Sequence, residues 1–306
     1  MIQLCIRVLK GNRSIFQFRV VKEERHDYKQ DMKITFGHLT FLLDETLSSA
    51  KVIGGVAKDT SLEIPSHIEV KGEAVPVKTI GKYCFDSLPL KEILLPDTIE
   101  VIEEGAFEGT NIENLKLPAS LKHIKEDAFR HCFELRSLII PPAIAFIPYR
   151  CFLGDKKLQF EKFPESIIEV DTCGFQGVRF PQLNLPSNVK KIGWDSFKLC
   201  GIINLKAQKG LEEIGPGAFG NNYDLETIDL PSSLKIIGEG AFKVCPSIKK
   251  FIIRAIEPPY LHEDFRERGY FDKDILSTMV LYVPSQSLDL YKNHQTWGQI
   301  KNIVAL

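Results

Sequence analysis

Apolar and polar residues follow a pattern along this chain that returns every 22 or 23 positions. An aromatic residue marks each return, and it is a phenylalanine in eight successive units: Phe85, Phe107, Phe129, Phe152, Phe175, Phe197, Phe219 and Phe242. An aliphatic residue stands five positions before each phenylalanine: Ile80, Ile102, Ile124, Ile147, Val170, Ile192, Ile214 and Ile237. This regularity predicts one structural unit that is repeated through the middle of the chain.

Most units also contain a short strand-like segment. Its apolar residues have the spacing L-x-x-L-x-L, and a proline usually closes it, as in Leu90, Ile93, Leu95 and Pro96. The L-x-L part has a period of two, which places its apolar side chains on one face of a strand. Repeats of about 20 to 29 residues with this spacing are typical of leucine-rich repeat solenoids, whose coils bury their apolar faces against their neighbours.

We therefore predict a repeat solenoid of the leucine-rich repeat class with about eight coils. Each coil is expected to supply one strand to a parallel β-sheet on one face, with short helical or irregular turns on the other face. Residues 62–254 form the predicted solenoid, residues 1–61 an N-terminal segment with a β-rich cap, and residues 255–306 a C-terminal cap. Caps are expected because a solenoid otherwise exposes an apolar cross-section at each end.

Two units depart from the pattern. Glu161 replaces the middle apolar residue of its strand segment, and Gln208 stands where a proline is expected. We expect local distortion at both places. In the N-terminal segment, residues 2–9 and 15–21 alternate apolar and polar positions and predict a hairpin.

Composition and charge narrow the function. The chain has 39 basic and 40 acidic residues, a net charge of −1 and no strongly basic block, which argues against nucleic-acid binding. No apolar stretch is long enough to predict a membrane span. Arg7, Lys10 and Arg13 interrupt the N-terminus, so this sequence predicts no export signal; retention in the cell and a different true start are the two alternatives.

The sequence predicts no catalytic residue, cofactor or metal. Six of the seven cysteines hold fixed places beside the repeat phenylalanines, and no C-x-x-C pair occurs, so we interpret them as small buried core residues. Phosphate-binding loop, nucleophile-elbow and zinc-helix motifs are absent. His131 and Cys132 are adjacent, but neighbouring side chains on a turn point apart, which argues against a nucleophile pair.

The outward face of the predicted sheet is the candidate binding surface. One outward column reads Leu94, Lys116, Ile139, Lys162, Asn184, Lys206, Asp229 and Ile252, and Phe160 belongs to the next column. The candidate binding residues are Lys116, Ile139, Phe160, Lys162, Asn184 and Lys206. They predict a weakly basic surface with two apolar anchors, suited to an acidic protein or a glycan. Plain solvated solenoid surface is the alternative, because mixed charges are ordinary on exposed faces.

One unit, with Ile124, Ala128, Phe129, Cys132, Leu135, Leu138, Ile140 and Pro141, resembles the BspA-like class of leucine-rich repeats found in Bacteroides-type bacteria. The resemblance implies a non-enzymatic protein, extracellular or on the cell surface, that binds host proteins, matrix components or other cells. An intracellular scaffold is the second hypothesis, favoured by the missing export signal. An enzyme is the third, and it would need a polar cluster outside the repeats. The oligomeric state stays open.

Overall fold

The computed structural model describes residues 32–55, 60–261 and 271–306. The predicted hairpin of residues 2–9 and 15–21 lies outside these ranges. The chain divides into two compact units, one ending at Ile144 and the other running from Ala145 to Leu306. This division differs from the predicted boundaries after residues 61 and 254, which stay predictions.

The first unit is built from strands. They are β1 (Met32–Phe36), β2 (Leu39–Leu43), β3 (Ala50–Gly55), β4 (Ser61–Glu63), β5 (His67–Val70), β6 (Glu73–Ile80), β7 (Glu92–Leu94), β8 (Val101–Ile102), β9 (Asn114–Leu115), β10 (His123–Ile124) and β11 (Ser137–Leu138). β1, β2 and β3 form an antiparallel sheet, and β3 then pairs in parallel with β6. This sheet confirms the β-rich N-terminal cap.

The second unit continues the repeat. Its strands are β12 (Phe146–Ile147), β13 (Glu169–Val170), β14 (Gln182–Leu185), β15 (Lys191–Ile192), β16 (Asn204–Ala207), β17 (Glu213–Ile214), β18 (Thr227–Leu230), β19 (Ile236–Ile237), β20 (Lys250–Ile253), β21 (Tyr260–Leu261), β22 (Val280–Val283) and β23 (Asn302–Ala305). A 3-10 turn at Ile275–Ser277 precedes β22. Between β22 and β23 lie two more 3-10 turns, at Ser285–Ser287 and Trp297–Gln299, and the short helix α1 (Leu288–Asn293).

Two parallel ladders run through each unit. The front ladder consists of the predicted L-x-L strands, paired as β14-β16-β18-β20-β22-β23 in the second unit and as β4-β7 and β9-β11 in the first. The back ladder consists mostly of two-residue strands, paired as β12-β13-β15-β17-β19-β21 and as β6-β8-β10. All of them except β21 end at the aliphatic residue five positions before a repeat phenylalanine. The leucine-rich repeat solenoid is thus confirmed, but a typical coil supplies two strands where one was predicted.

The repeat phenylalanines form the core of both units. Their rings stack from coil to coil with centroids 5.3 to 5.6 Å apart, over Phe85, Phe107 and Phe129 in the first unit and over Phe152, Phe175, Phe197, Phe219 and Phe242 in the second. None of these side chains is more than 1% exposed. The prediction that phenylalanine fills the interior of each coil is confirmed.

Left-handed backbone flanks every repeat phenylalanine. The residues two positions before it and two positions after it have φ between 49° and 87° in all eight coils. Glycine takes this conformation without a steric penalty and occupies several of the sites, such as Gly105 and Gly217. Bulky residues occupy others, including Leu199 and Val244. The pair of left-handed residues reverses the chain on either side of the buried ring.

The C-terminal end is covered by aromatic side chains, as predicted for a cap. Trp297 and Tyr291 are fully buried, and the Trp297 ring lies 6.1 Å from that of Phe251 and 5.8 Å from that of Phe271. The Tyr291 hydroxyl donates a hydrogen bond of 3.0 Å to the carbonyl of Ala255. These contacts close the apolar end of the second unit.

Candidate binding surface

The front ladder of the second unit presents a regular outward column. Its pairing aligns Asn184 with Lys206, Lys206 with Asp229, and Asp229 with Ile252 on successive strands. The residues between them along each strand are buried, as Leu183 is in β14, so Asn184, Lys206 and Asp229 face away from the core. Ile252, predicted to face outward in this column, is buried. Asn184 and Lys206 are exposed, as the sequence predicts.

The Lys206 ammonium is available to form an ion pair with a ligand. Its cross-strand neighbour Asp229 accepts two hydrogen bonds from Arg254, of 2.8 Å to Nε and 2.9 Å to Nη2. Within the described part of the chain, neither Lys206 nor Lys162 takes part in an ion pair. Other lysines of this unit differ, because Lys235 and Lys249 form cross-coil ion pairs at 2.6 and 2.7 Å.

The first unit carries its own exposed column. Ile139 is 84% exposed and Leu94 is 54% exposed, which is high for aliphatic side chains. Ser137 of β11 pairs with Asn114 of β9. Lys116 and Ile139 each stand two residues after these paired residues, so they occupy equivalent positions on adjacent coils. Lys116 is exposed between the two apolar residues. A single surface that joins this column to that of the second unit stays a prediction.

Phe160 does not face outward as predicted. The side chain is half-buried, and its ring stacks on Phe180 at 5.6 Å and meets the edges of Phe152 and Phe175 at 6.3 and 5.7 Å. The cause is the departure at Glu161, whose charged side chain is exposed. Phe160 turns inward and supplies the apolar contact that Glu161 does not. The other five residues, Lys116, Ile139, Lys162, Asn184 and Lys206, stay predicted binding residues.

The next column along the strands, to which Asn114, Ser137, Asn204, Thr227 and Lys250 belong, makes side-chain contacts within the protein. The Ser137 hydroxyl donates to the Asn114 side chain at 3.1 Å, and the hydroxyl of Thr227 is hydrogen-bonded to Asn204 in the second unit. The Lys250 ammonium lies 5.3 Å from the ring centre of Tyr282, which is a cation–π contact. Sequence reasoning did not anticipate these cross-coil bonds.

The repeat cysteines are core residues, as predicted. Six cysteines in the described ranges are free thiols, and five of them are buried. The thiols of Cys132 and Cys200 donate to the carbonyl of the phenylalanine in the preceding coil, both at 3.1 Å. Burial raises the pKa of Cys84 and of Cys245 to about 12, so both thiols are protonated and unreactive at neutral pH.

Asn222 occupies the same interior position as those cysteines. Its amide nitrogen donates to the carbonyls of Phe197 and Phe219 at 3.0 and 2.7 Å, and its oxygen accepts from the backbone of Cys200 and Ile202 at 3.0 and 3.1 Å. The side chain is fully buried and ties two coils together. These bonds assign it a structural role.

Across residues 32–55, 60–261 and 271–306, no group of three histidine, cysteine or acidic side chains is placed to hold a metal ion. No helix in those ranges is long and apolar enough to span a bilayer.

Comparison with known proteins identifies the class. The family model described as "BspA type Leucine rich repeat region (6 copies)" matches residues 69–182 and 145–257, which together cover more than half of the chain. The protein is therefore a leucine-rich repeat protein, and it belongs to the BspA-type family. No curated protein matches the chain.

Several solved structures are similar. A leucine-rich cell surface protein from Faecalibacterium prausnitzii is 18% identical, with 90% of this chain and 95% of that chain covered and a TM-score of 0.48. The leucine-rich repeat protein of T. pallidum is 21% identical, with 69% and 88% covered and a TM-score of 0.48. The pneumococcal vaccine antigen PcpA is 16% identical, with 91% and 100% covered and a TM-score of 0.42. With TM-scores this low, the family assignment rests on the repeat match.

Proposed function

We propose that this chain is a non-enzymatic binding protein that recognises host or cell-surface proteins or glycans through its front ladder. One observation carries the proposal: Lys206 is exposed on this face, Lys162 is exposed in the irregular segment between β12 and β13, and neither has an ion-pair partner in the described residues. A lysine that is not engaged within the protein can pair with an anionic ligand at lower cost, since no existing salt bridge has to be broken.

The ligand is expected to be acidic. In the second unit Lys162 and Lys206 supply the positive charges, and in the first unit Lys116 lies beside two exposed apolar anchors, Leu94 and Ile139. Apolar anchors beside complementary charges are a usual composition for protein interfaces. An acidic protein surface or a sulfated or carboxylated glycan fits this pattern.

An intracellular scaffold is the second candidate function. The six described cysteines are all free thiols, which suits a reducing compartment as well as a buried core. Protease treatment of intact source cells separates the two functions, with a cytosolic protein as marker. Cleavage on intact cells supports adhesion, whereas protection until lysis, with a periplasmic location excluded by fractionation, supports the scaffold.

A binding panel with matched variants tests the proposal. Immobilised host matrix proteins and sulfated glycans are offered to the wild-type protein and to K162E/K206E. The control K235E/K249E makes the same change in net charge at lysines that already hold ion pairs. We expect saturable binding that falls at least about tenfold in K162E/K206E and is retained in the control. Equal loss in both variants, or no saturable binding to any member of the panel, would contradict the proposal.

A further inference from the structure

A groove of about 860 Å³ lies on the second unit, away from the front-ladder column. It runs across three consecutive coils, where the back-ladder strands β17 and β19 lead into the turns before Phe219 and Phe242. Five glycines line it, among them Gly215 and Gly238, together with larger residues that include Trp194 and Val244. This volume is in the range of sites that hold small molecules and short oligomers.

Close packing of the coils beside the groove depends on glycine. Gly193, Gly215 and Gly238 each follow the aliphatic residue of the back ladder. A Cβ on Gly238 would lie 2.6 Å from the carbonyl carbon of Gly215, and a Cβ on Gly215 would lie 2.9 Å from that of Gly193. The coils therefore pack backbone against backbone here, and a side chain at these positions would meet the neighbouring coil.

Trp194 is a largely exposed aromatic residue in the lining of the groove. It is 56% exposed, whereas Trp297 is fully buried in the C-terminal cap. The equivalent position of the other coils is mostly polar or small, as in Lys82, Glu104, Glu126, Tyr149, Thr172, Pro216 and Glu239. A large aromatic ring that stays exposed contributes little to folding stability, but it offers a flat surface on which a ligand can stack.

Val244 is a second unfavourable residue in the lining. It has φ of 60° and is 36% exposed. A branched side chain in the left-handed region is strained, and glycine holds the equivalent position in other coils, at Gly109, Gly154 and Gly177. The backbone conformation is that of every repeat turn, so the unusual feature of Val244 is its branched side chain.

The charges of the groove nearly cancel. Three carboxylates (Asp195, Glu213, Glu239) and two ammonium groups (Lys198, Lys243) line it, which leaves a formal charge of −1. Asp195 and Lys198 form an ion pair at 3.2 Å, and Glu213 forms one with Lys191 at 3.3 Å. This lining lacks the positive charge that an anionic ligand needs. It favours an uncharged ligand with many hydroxyl groups, which can both donate to carboxylates and accept from ammonium groups.

We infer that the groove binds a neutral carbohydrate chain. A pyranose ring has an apolar face of C–H groups, which stacks on the electron-rich face of the Trp194 indole. Its hydroxyls then exchange hydrogen bonds with the carboxylate of Asp195 and the ammonium of Lys198. This site differs from the front ladder in position and in ligand class, because the front ladder is expected to bind an acidic partner.

Tryptophan fluorescence tests the inference directly. The chain has two tryptophans, and Trp297 is buried, so quenching by acrylamide reports mainly on Trp194. The probes are neutral hexasaccharides of glucose, mannose and xylose in their common linkages, together with an array of neutral and acidic glycans. We expect at least one neutral glycan to change the emission saturably and to protect Trp194 from acrylamide.

Three variants decide the outcome. W194A should weaken glycan binding at least tenfold, and W194F should retain part of it. D195N, which keeps the shape of the side chain, should weaken binding about threefold or more. K162E/K206E should leave it unchanged, so failure of this site and failure of the front-ladder proposal are distinguishable. The inference is overturned if no neutral glycan binds, if W194A binds as well as wild type, or if only peptides or acidic glycans bind.

Discussion

The stacked phenylalanines should dominate the stability of the second unit, and Phe197→Ala tests this. The Phe197 side chain is fully buried. Its ring stacks between those of Phe175 and Phe219, with both centroids 5.6 Å away. Two further rings, those of Phe163 and Phe180, lie at 5.9 and 5.7 Å. Truncation therefore removes a side chain that four aromatic neighbours surround.

The expected loss follows from these contacts. Burial of a whole phenylalanine side chain contributes about 2 to 3 kcal/mol through transfer from water. The cavity left behind and the lost ring contacts add to this, because stacked coils cannot collapse freely into the gap. We expect Phe197→Ala to lower the free energy of unfolding by about 4 kcal/mol, near the middle of the range for large aromatic truncations.

Urea denaturation followed by circular dichroism measures the loss. Phe133→Ala is the matched control, since it is the same chemical change at a phenylalanine that is 54% exposed. We expect it to cost less than about 1 kcal/mol. Phe197→Leu should cost less than Phe197→Ala, because it refills part of the volume. A loss below about 1 kcal/mol for Phe197→Ala, or equal losses for both alanine variants, would refute the stacked-core account.

Three further predictions address the coil geometry. Val244→Asn should raise the free energy of unfolding by about 0.5 to 1 kcal/mol in a urea titration, because asparagine tolerates left-handed backbone; a decrease would argue against strain there. Asn222→Ala should lower the free energy of unfolding by about 3 kcal/mol, because buried backbone groups lose their hydrogen-bond partners. The control Asn184→Ala, at an exposed asparagine, should change it by less than about 0.5 kcal/mol. Similar losses for the two variants would contradict the structural role of Asn222. Burial raises the pKa of the Cys173 and Cys200 thiols, so both are protonated at pH 8. Ellman's reagent should label half-exposed Cys173 before buried Cys200, and simultaneous labelling of these two thiols in the native protein would contradict this order.

The repeat and its core could be predicted because one signal recurs eight times. A phenylalanine every 22 or 23 residues with an aliphatic residue five positions earlier leaves little freedom in the fold. The back ladder escaped prediction for a physical reason. Its strands, such as β15 and β17, are two residues long, and two residues are too few to display the alternation by which strands are recognised.

The candidate surface was predictable only where the strands are regular. Asn184 and Lys206 face outward as their period requires, whereas Phe160 turns inward because Glu161 breaks the pattern beside it. The groove had no motif to reveal it. Its lining residues come from three separate coils, and they come together only when the coils are stacked.

The salt dependence of ligand binding tests the central claim most directly. The claim is that exposed lysines of the front ladder bind an acidic partner, and such contacts weaken as salt screens them. The affinity for a partner found in the panel is measured for wild type and for K162E/K206E at about 50 and 500 mM NaCl, which span weak and strong screening. The account predicts that wild-type affinity falls steeply with salt and that the variant binds weakly with a much shallower dependence. Equal salt dependence in both proteins, with affinity unchanged by the substitutions, would contradict it.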